Sequence, residues 1–497
     1  MLNEPLLTST STGNVAPSTR QGLAERDVSL DLMRGLIMLI MAWDHTTHQF
    51  TDNKDSVQHP GAESWNGPFA SYDNNPGLFV SRAVSHICAP GFFFTMGIGM
   101  ALFAQSRFSA GWSFARVWQH YLTRGAVLFL AGRLVNFPGY LAIFVDVGVH
   151  NRTVPVRIQG GQYGPGDEAK VLRDSWLSVY EVMEALALTM MLSPLFLPLL
   201  VKVAPMRSAP TAWRLGATEL VGWTLFFFFF CASNLAIVLV QGDDPTDVTG
   251  AFPKSSALAD NLLKVIARFT FWPGPGPLSY AYIAYPFIPW IGITCLGQGL
   301  GYLYMRDVSI GVRRARLTQM AAGLLAAFFV IRGLGGKFGN NRGWPRHDSG
   351  ASAFMEFFIV CKYPPDLAYA TITLAVDCLI ILMFTHPAFN NVDDVKRADE
   401  GDAEQPYLTC SDTAKWPHPC KPVLVFGRAP LFFYICHFYV IGTFEAVLRL
   451  PSPPSGKFPL QGVVVVWALV VTVMYFACKR YVAFKSTTAV DSMWRLL

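Results

Sequence analysis

Charge is scarce in this sequence. Of its 497 residues only 15% are Asp, Glu, Lys or Arg, against about 25% in an ordinary soluble protein. That leaves too little to clothe the surfaces of a multidomain soluble enzyme. A net charge of +5 over this length implies no polyanionic partner and excludes a nucleic-acid-binding protein. The signatures of soluble catalysis are missing as well: there is no P-loop, no Gly-x-Ser-x-Gly elbow and no His-Glu-x-x-His. Gly97-Ile98-Gly99 lies in an apolar run and is not a dinucleotide fingerprint. No internal repeat is visible, which argues against the inverted-repeat transporters. The first 28 residues are polar and Ser/Thr-rich, with no secretory signal, so the first apolar segment is expected to be a retained span. No gap between apolar segments has room for a separate soluble domain.

What the chain has instead is apolar side chain, 52% of it, including 38 Phe. The bilayer is then the relevant solvent, and the expected fold is an all-α polytopic membrane bundle. Ten spans of about 20 residues, the length that crosses the hydrocarbon, are expected near Leu30–Gln49, Leu78–Ala104, Val117–Val135, Val179–Leu200, Leu215–Val240, Tyr282–Tyr304, Leu317–Arg332, Pro364–Phe384, Pro422–Leu448 and Leu460–Phe484. Glu181 and Glu184 interrupt the start of the fourth, and Pro194 and Pro198 end or kink it. Residues 1–28 are read as a disordered tail, 29–486 as the core with an acidic loop at 390–421, and 487–497 as a short C-terminal tail.

Basic residues orient the bundle. Short connectors carry Arg107 and Arg116, then Lys202, Arg207 and Arg214, then Arg306, Arg313, Arg314 and Arg316, and the tail carries Lys479, Arg480 and Lys485. With an even span count both termini are expected in the cytosol. The sequon Asn151-Arg152-Thr153 then falls outside or in a lumen, as glycosylation requires. Nine cysteines are present, most of them (Cys88, Cys231, Cys295, Cys361, Cys378, Cys436 and Cys478) in apolar runs, where a thiol acts as a small hydrophobe. Cys410, Cys420 and His418 share a polar loop but do not complete a zinc site; no metal is expected. The segment Asn3-Glu4-Pro5-Leu6-Leu7 resembles a di-leucine sorting signal.

An ionisable residue inside a span costs at least about 2.5–3.5 kcal/mol on insertion scales, so such residues mark bundle interiors or aqueous cavities. Four clusters stand out. Trp43-Asp44-His45-Thr46-Thr47-His48 closes the first span; Asp44 beside a histidine can set its tautomer and raise its basicity, or the group is simply a wet helix end. Arg82 followed by Ser85-His86-Ile87-Cys88-Ala89-Pro90 lies in the second span, with His86 one turn before Pro90 and glycines at 91, 97 and 99 that allow close helix packing. Lys362-Tyr363-Pro364-Pro365 opens the eighth, where paired prolines suit a first helical turn and the lysine can snorkel. Gly427-Arg428-Ala429-Pro430 leads to Tyr434 and to His437 deeper in the membrane. Asp31 and Arg34 stand at i, i+3 on the first span and are expected to pair.

These clusters, in this order, resemble the catalytic domain of the heparan-alpha-glucosaminide N-acetyltransferase family, including its shorter relatives of unknown function. The resemblance rests on Ser29-Leu30-Asp31-Leu32-Met33-Arg34-Gly35 leading to Asp44-His45, and on Arg82 through Pro90 with Phe92 to Phe94 and Gly97. It continues through Tyr285-Pro286 with Pro289-Trp290, Lys362-Tyr363-Pro364-Pro365, and Phe426-Gly427-Arg428-Ala429-Pro430-Leu431-Phe432 with Tyr434 and His437. It covers the chain from Arg26 onward. It implies a transmembrane acyltransferase that takes acetyl from cytosolic acetyl-CoA, its co-substrate, and delivers it to an amine or hydroxyl of a sugar on the far side. His45, Asp44 and His86 are then the catalytic candidates, with His48 and His59 competing for the role of the central histidine. Arg82, Lys362, Tyr363, Arg428, Tyr434 and His437 would bind the acceptor. Arg34, Arg313 and Arg314, with Arg316, Lys479 and Arg480 beside them, would meet the donor's phosphates. The histidine would deprotonate the acceptor or carry the acetyl group itself; both remain open at this point. Expected partners are membrane lipid, acetyl-CoA and a sugar or glycan acceptor, with a homodimer an open option and no nucleic acid. The expected location is a lysosomal, vacuolar or other endomembrane, or the plasma membrane. The rivals are a transporter that uses the same His and Asp as proton relays and a catalytically silent scaffold.

Overall fold

The computed structural model describes residues 27–51, 63, 76–156, 161–177, 179–202, 215–240, 270, 274–275, 282–305, 308–335, 339–340, 350–386, 389, 420–449 and 458–488. Within them the chain is helical nearly throughout: α1 (Val28–Phe50), α2 (Pro76–Ser85), α3 (Cys88–Ser109), α4 (Phe114–Gly148), α5 (Glu168–Leu177), α6 (Val182–Leu192), α7 (Leu197–Lys202), α8 (Ala217–Val240), α9 (Phe287–Leu300), α10 (Ile310–Leu334), α11 (Gly350–Phe358), α12 (Leu367–Phe384), α13 (Cys420–Arg428), α14 (Pro430–Arg449) and α15 (Leu460–Thr487). Strand pairing is confined to short straps. β1 (Val154–Val156) runs antiparallel to β2 (Gly161–Tyr163). Between β3 (Val179–Tyr180) and β4 (Gly274–Pro275) lies β5 (Tyr282–Ile283), which ties the openings of α6 and α9 together. His59, Arg207, Arg214, Arg306, Cys410, His418, the Leu6-Leu7 segment and most of the 390–421 loop lie outside the described residues.

Every expected span coincides with helix, and among the described residues seven helical stretches are long and apolar enough to cross a membrane. The first, third and sixth expected spans fall short of that measure. α1 carries Asp31, Arg34 and Asp44, and α9 has only 14 residues, extended by a 3-10 turn at Gly301–Tyr304. α1 nonetheless suits a bilayer, because polar groups along it face protein: Asp31, Asp44, Thr46 and Thr47 are all buried. It packs against α3, α12, α13, α14 and α15 and so forms the axis of the bundle. The outer faces of α8, α10 and α15 present the opposite chemistry, with Phe228, Val330, Val465 and Phe476 each about 60% exposed, as lipid contact requires.

The boundaries differ from expectation where proline decides them. The second span is broken after Ser85 into α2 and α3, with His86 and Ile87 at the joint. The ninth is broken at Ala429, because Pro430 has no N–H to give the preceding turn. The eighth begins later than Pro364: Asp366 caps α12, accepting from the Tyr369 N–H at 2.7 Å, so Pro364 and Pro365 precede the helix and do not form its first turn. Pro138, by contrast, is absorbed inside α4, which continues to Gly148 and not to the expected Val135.

Several helix crossings admit only glycine. A Cβ added at Gly427 would lie 1.7 Å from the Asp31 carbonyl oxygen, and one at Gly35 would lie 1.8 Å from that of Val423. The same intimacy joins α3 to α9 through Gly97 and Gly297. Gly427→Ala should therefore lower stability by about 2–3 kcal/mol or more, since α1 must move bodily away from α13. Gly323→Ala on α10, where a Cβ meets nothing within 4 Å, should be neutral or slightly stabilising. Thermal melts of the two variants in detergent give the comparison.

Candidate active site

Two polar assemblies and one cavity meet around α1. Adjacent residues on a helix point about 100° apart, so Asp44 and His45 face different neighbours. Asp44 turns toward α2, where Arg82 Nη1 donates to its two oxygens at 3.1 and 3.3 Å. Arg82 is 1% exposed and also donates through Nε and Nη2 to both oxygens of Glu63, and through Nη1 to Ser85 Oγ at 3.2 Å. His86 Nε2 meets Glu63 Oε1 at 3.0 Å, and the Tyr369 hydroxyl donates to the His86 carbonyl at 2.9 Å. Burial alone would raise the Glu63 carboxyl, but the charges and hydrogen bonds of Arg82 and His86 outweigh it and hold it well below the usual carboxylate range. The Glu63 carbonyl in turn accepts from the Lys362 and Tyr363 N–H groups at 3.0 and 3.2 Å. A single buried guanidinium thus fastens the end of α1, Glu63 and the last turn of α2.

His45 turns instead toward α14. Its Nδ1 lies 2.9 Å from His437 Nε2, and the two rings stack with centroids 5.2 Å apart. His437 is fully buried, and its Nδ1 lies 3.0 Å from the Phe433 carbonyl one turn earlier. Phe438 and Tyr434 complete the wall, at 4.5 and 6.5 Å from the His45 ring. The imidazole that meets His45 is therefore His437, and Asp44 is engaged by Arg82. Lys362 is buried nearby, its ammonium 5.8 Å from the Tyr285 ring and 5.4 Å from that of Tyr363. It lies within electrostatic reach of both His45 and His86. Glu181, at the N-terminus of α6, exchanges capping bonds with Glu184 and lies within the same reach of Lys362 and Tyr434.

Tyr434 has a second neighbour. It also lines a cavity of about 380 Å³ walled by α1, α3, α4, α6, α13, α14 and α15. Phe92, Met96, Met183 and Leu186 form its apolar wall, and Arg34, Arg124, Arg428 and Lys485 bring positive charge to it. Arg34 is held by Asp31 at 3.4 Å, the pair expected from the i, i+3 spacing, and by the Thr95 carbonyl at 3.1 Å. Eleven residues of α1 separate Arg34 from His45, about 16 Å along the axis.

The other basic residues expected near a donor lie elsewhere. Arg313 is paired with Asp27 and donates to the Leu303 carbonyl at 2.8 Å, and Arg316 is paired with Glu219. Arg314 follows Arg313 on α10 and does not line the cavity. Arg124, Glu63 and Glu181 escaped the sequence reading as site residues. Arg124 sits in the middle of an expected span, where the cost of an ionisable group should have drawn notice; Glu181 carried the same signal more weakly; Glu63 lies in a polar loop and carried none.

A histidine pair, one ring buried and the other partly exposed, thus stands near a cavity to which four basic side chains bring charge. The family model of the acyltransferase domain matches residues 27–478, nearly the whole chain, and the protein belongs to that family. It is an integral-membrane acyltransferase. Among curated proteins no match is found.

Proposed function

We propose that this acyltransferase takes acetyl from cytosolic acetyl-CoA and passes it to an amine or hydroxyl of a sugar on the lumenal or outer side, as the resemblance to the heparan-alpha-glucosaminide N-acetyltransferase family implies. The observation that carries the reading is the shared position of Tyr434, which lines the cavity and flanks the histidine pair. Arg34, Arg428 and Lys485 would bind the donor's phosphates at the cytosolic mouth, and the apolar wall would guide its slender arm inward. His45 then accepts the proton of the acceptor O–H or N–H as the acceptor attacks the thioester carbonyl. The C–S bond breaks, and the imidazolium returns its proton to the departing thiolate, so that acetylated acceptor and free CoA leave. Lys362, within electrostatic reach of His45, would bind the acceptor or the developing oxyanion.

Incubation of the purified protein with radiolabelled acetyl-CoA and a panel of amino and neutral sugars tests the reading. Label should move to at least one sugar with equimolar release of CoA. Absence of CoA release with every acceptor would overturn it. Arg428→Gln and Lys485→Gln should each raise the donor KM about 10-fold, the scale of one charge-assisted contact, and leave the acceptor KM unchanged. A change confined to the acceptor would contradict the assignment of this end to the donor. An endomembrane location remains part of the same proposal, and a fluorescent fusion checks it.

A further inference from the structure

The histidine pair carries one inference more, which rests on His45 being the base proposed above. A carbonyl oxygen can only accept, so His437 Nδ1, 3.0 Å from the Phe433 carbonyl, must carry a proton. His437 is fully buried, and among the described residues no carboxylate lies within 4 Å of it, so nothing nearby compensates a cationic ring. A neutral ring protonated at Nδ1 has a lone pair at Nε2. That lone pair points at His45 Nδ1 across 2.9 Å, so His45 Nδ1 must donate. His45 Nε2 is then left bare, and it has no hydrogen-bond partner among the described residues.

We propose that His437 is a positioning residue that fixes the tautomer of His45, so that Nε2 is the atom that takes the acceptor's proton. The backbone of α14 sets the polarity of the pair: Phe433 carbonyl, His437, His45, acceptor. This is the task a carboxylate performs in a Ser-His-Asp triad, performed here by a neutral ring. A neutral partner suits the location, because His437 is fully buried and a charged group there would bear the full cost of desolvation within the membrane. With His437 in this role, Asp44, the sequence neighbour of His45, serves Arg82.

Nitrogen-15 NMR of histidine-labelled protein in detergent, with His45 assigned by its absence from a His45→Asn sample, reads the tautomer directly. The expected result is a protonated Nδ1 and an unprotonated Nε2; the reverse would overturn the proposal whatever the enzyme acts upon. Kinetics give the second arm, with acetyl-CoA and glucosamine as probes. His437→Leu should lower kcat by about 10²-fold or more while the donor KM stays within about twofold. His437→Gln, whose amide oxygen can accept from His45 Nδ1, should recover most of that loss. Wild-type kcat in the leucine variant, or a glutamine variant as slow as it, would overturn the proposal. If wild-type protein transfers nothing to any acceptor, the proposed function fails, and the NMR result still decides the tautomer.

Discussion

His45→Ala should reduce acyl transfer by about 10³-fold, the middle of the range for loss of a general base, and leave the protein folded. The stability half of this expectation follows from packing. His45 is partly exposed, its hydrogen bond is to one neighbour, and the close glycine contact of α1 with α13 lies near the helix's other end. The activity half follows from what is left: His48 stands about one turn further along α1, and of the other candidate histidines that are described, His86 is committed to Glu63 at 3.0 Å and His437 is sealed in the core. Neither can move into the place of His45 without breaking its own bonds. CoA release measured beside a thermal melt separates loss of catalysis from loss of fold, and wild-type turnover in this variant would remove His45 from the mechanism.

The largest loss of stability is expected from Arg82→Met. The side chain is 1% exposed and neutralises Glu63 and Asp44 together. Removing one partner of a buried ion pair costs about 3–5 kcal/mol, because the charge left behind is uncompensated; here two carboxylates would be left. The network also sets the acid limit of the fold. Glu63 is held well below the ordinary value of 4.5 by Arg82 and His86, against the opposing effect of burial. A carboxyl group lowered in the folded state contributes stability above its unfolded value and loses it as pH falls through the folded one. The melting temperature of the wild type should therefore fall as the pH drops below about 4.5, where the unfolded chain binds the proton first. Glu63→Gln should flatten that slope while lowering stability at pH 7, and an unchanged slope would show that another carboxylate sets the limit.

Much of this architecture was legible beforehand because hydrocarbon permits few alternatives. Apolar runs of the right length had to be helices, and the charges left within them had to face inward, as Asp31, Asp44, Arg82 and His437 do. What could not be read was which of them meet. Asp44 follows the rotation of α1 away from its neighbour His45. The ring that meets His45 comes from 392 residues further along the chain, and no local pattern encodes such a pairing. Glu63 was invisible because a carboxylate in a polar loop carries no penalty that would single it out. Basic connectors look alike in one dimension, so the sequence could not tell that Arg313 and Arg316 have acidic partners of their own. Proline misled in both directions, breaking the ninth span at Pro430 and leaving α4 intact at Pro138, since a proline's effect depends on whether neighbouring helices support the freed carbonyl.

In the proposed function the acetyl group crosses the bundle, from the cavity carrying Arg34 and Arg428 to His45. Protein reconstituted in sealed vesicles, with acetyl-CoA and a membrane-impermeant labelled amino sugar confined to chosen sides, tests it most directly. Transfer should occur when donor and acceptor are on opposite sides and vanish when both are on one side. Equal transfer with both on the same side would contradict it.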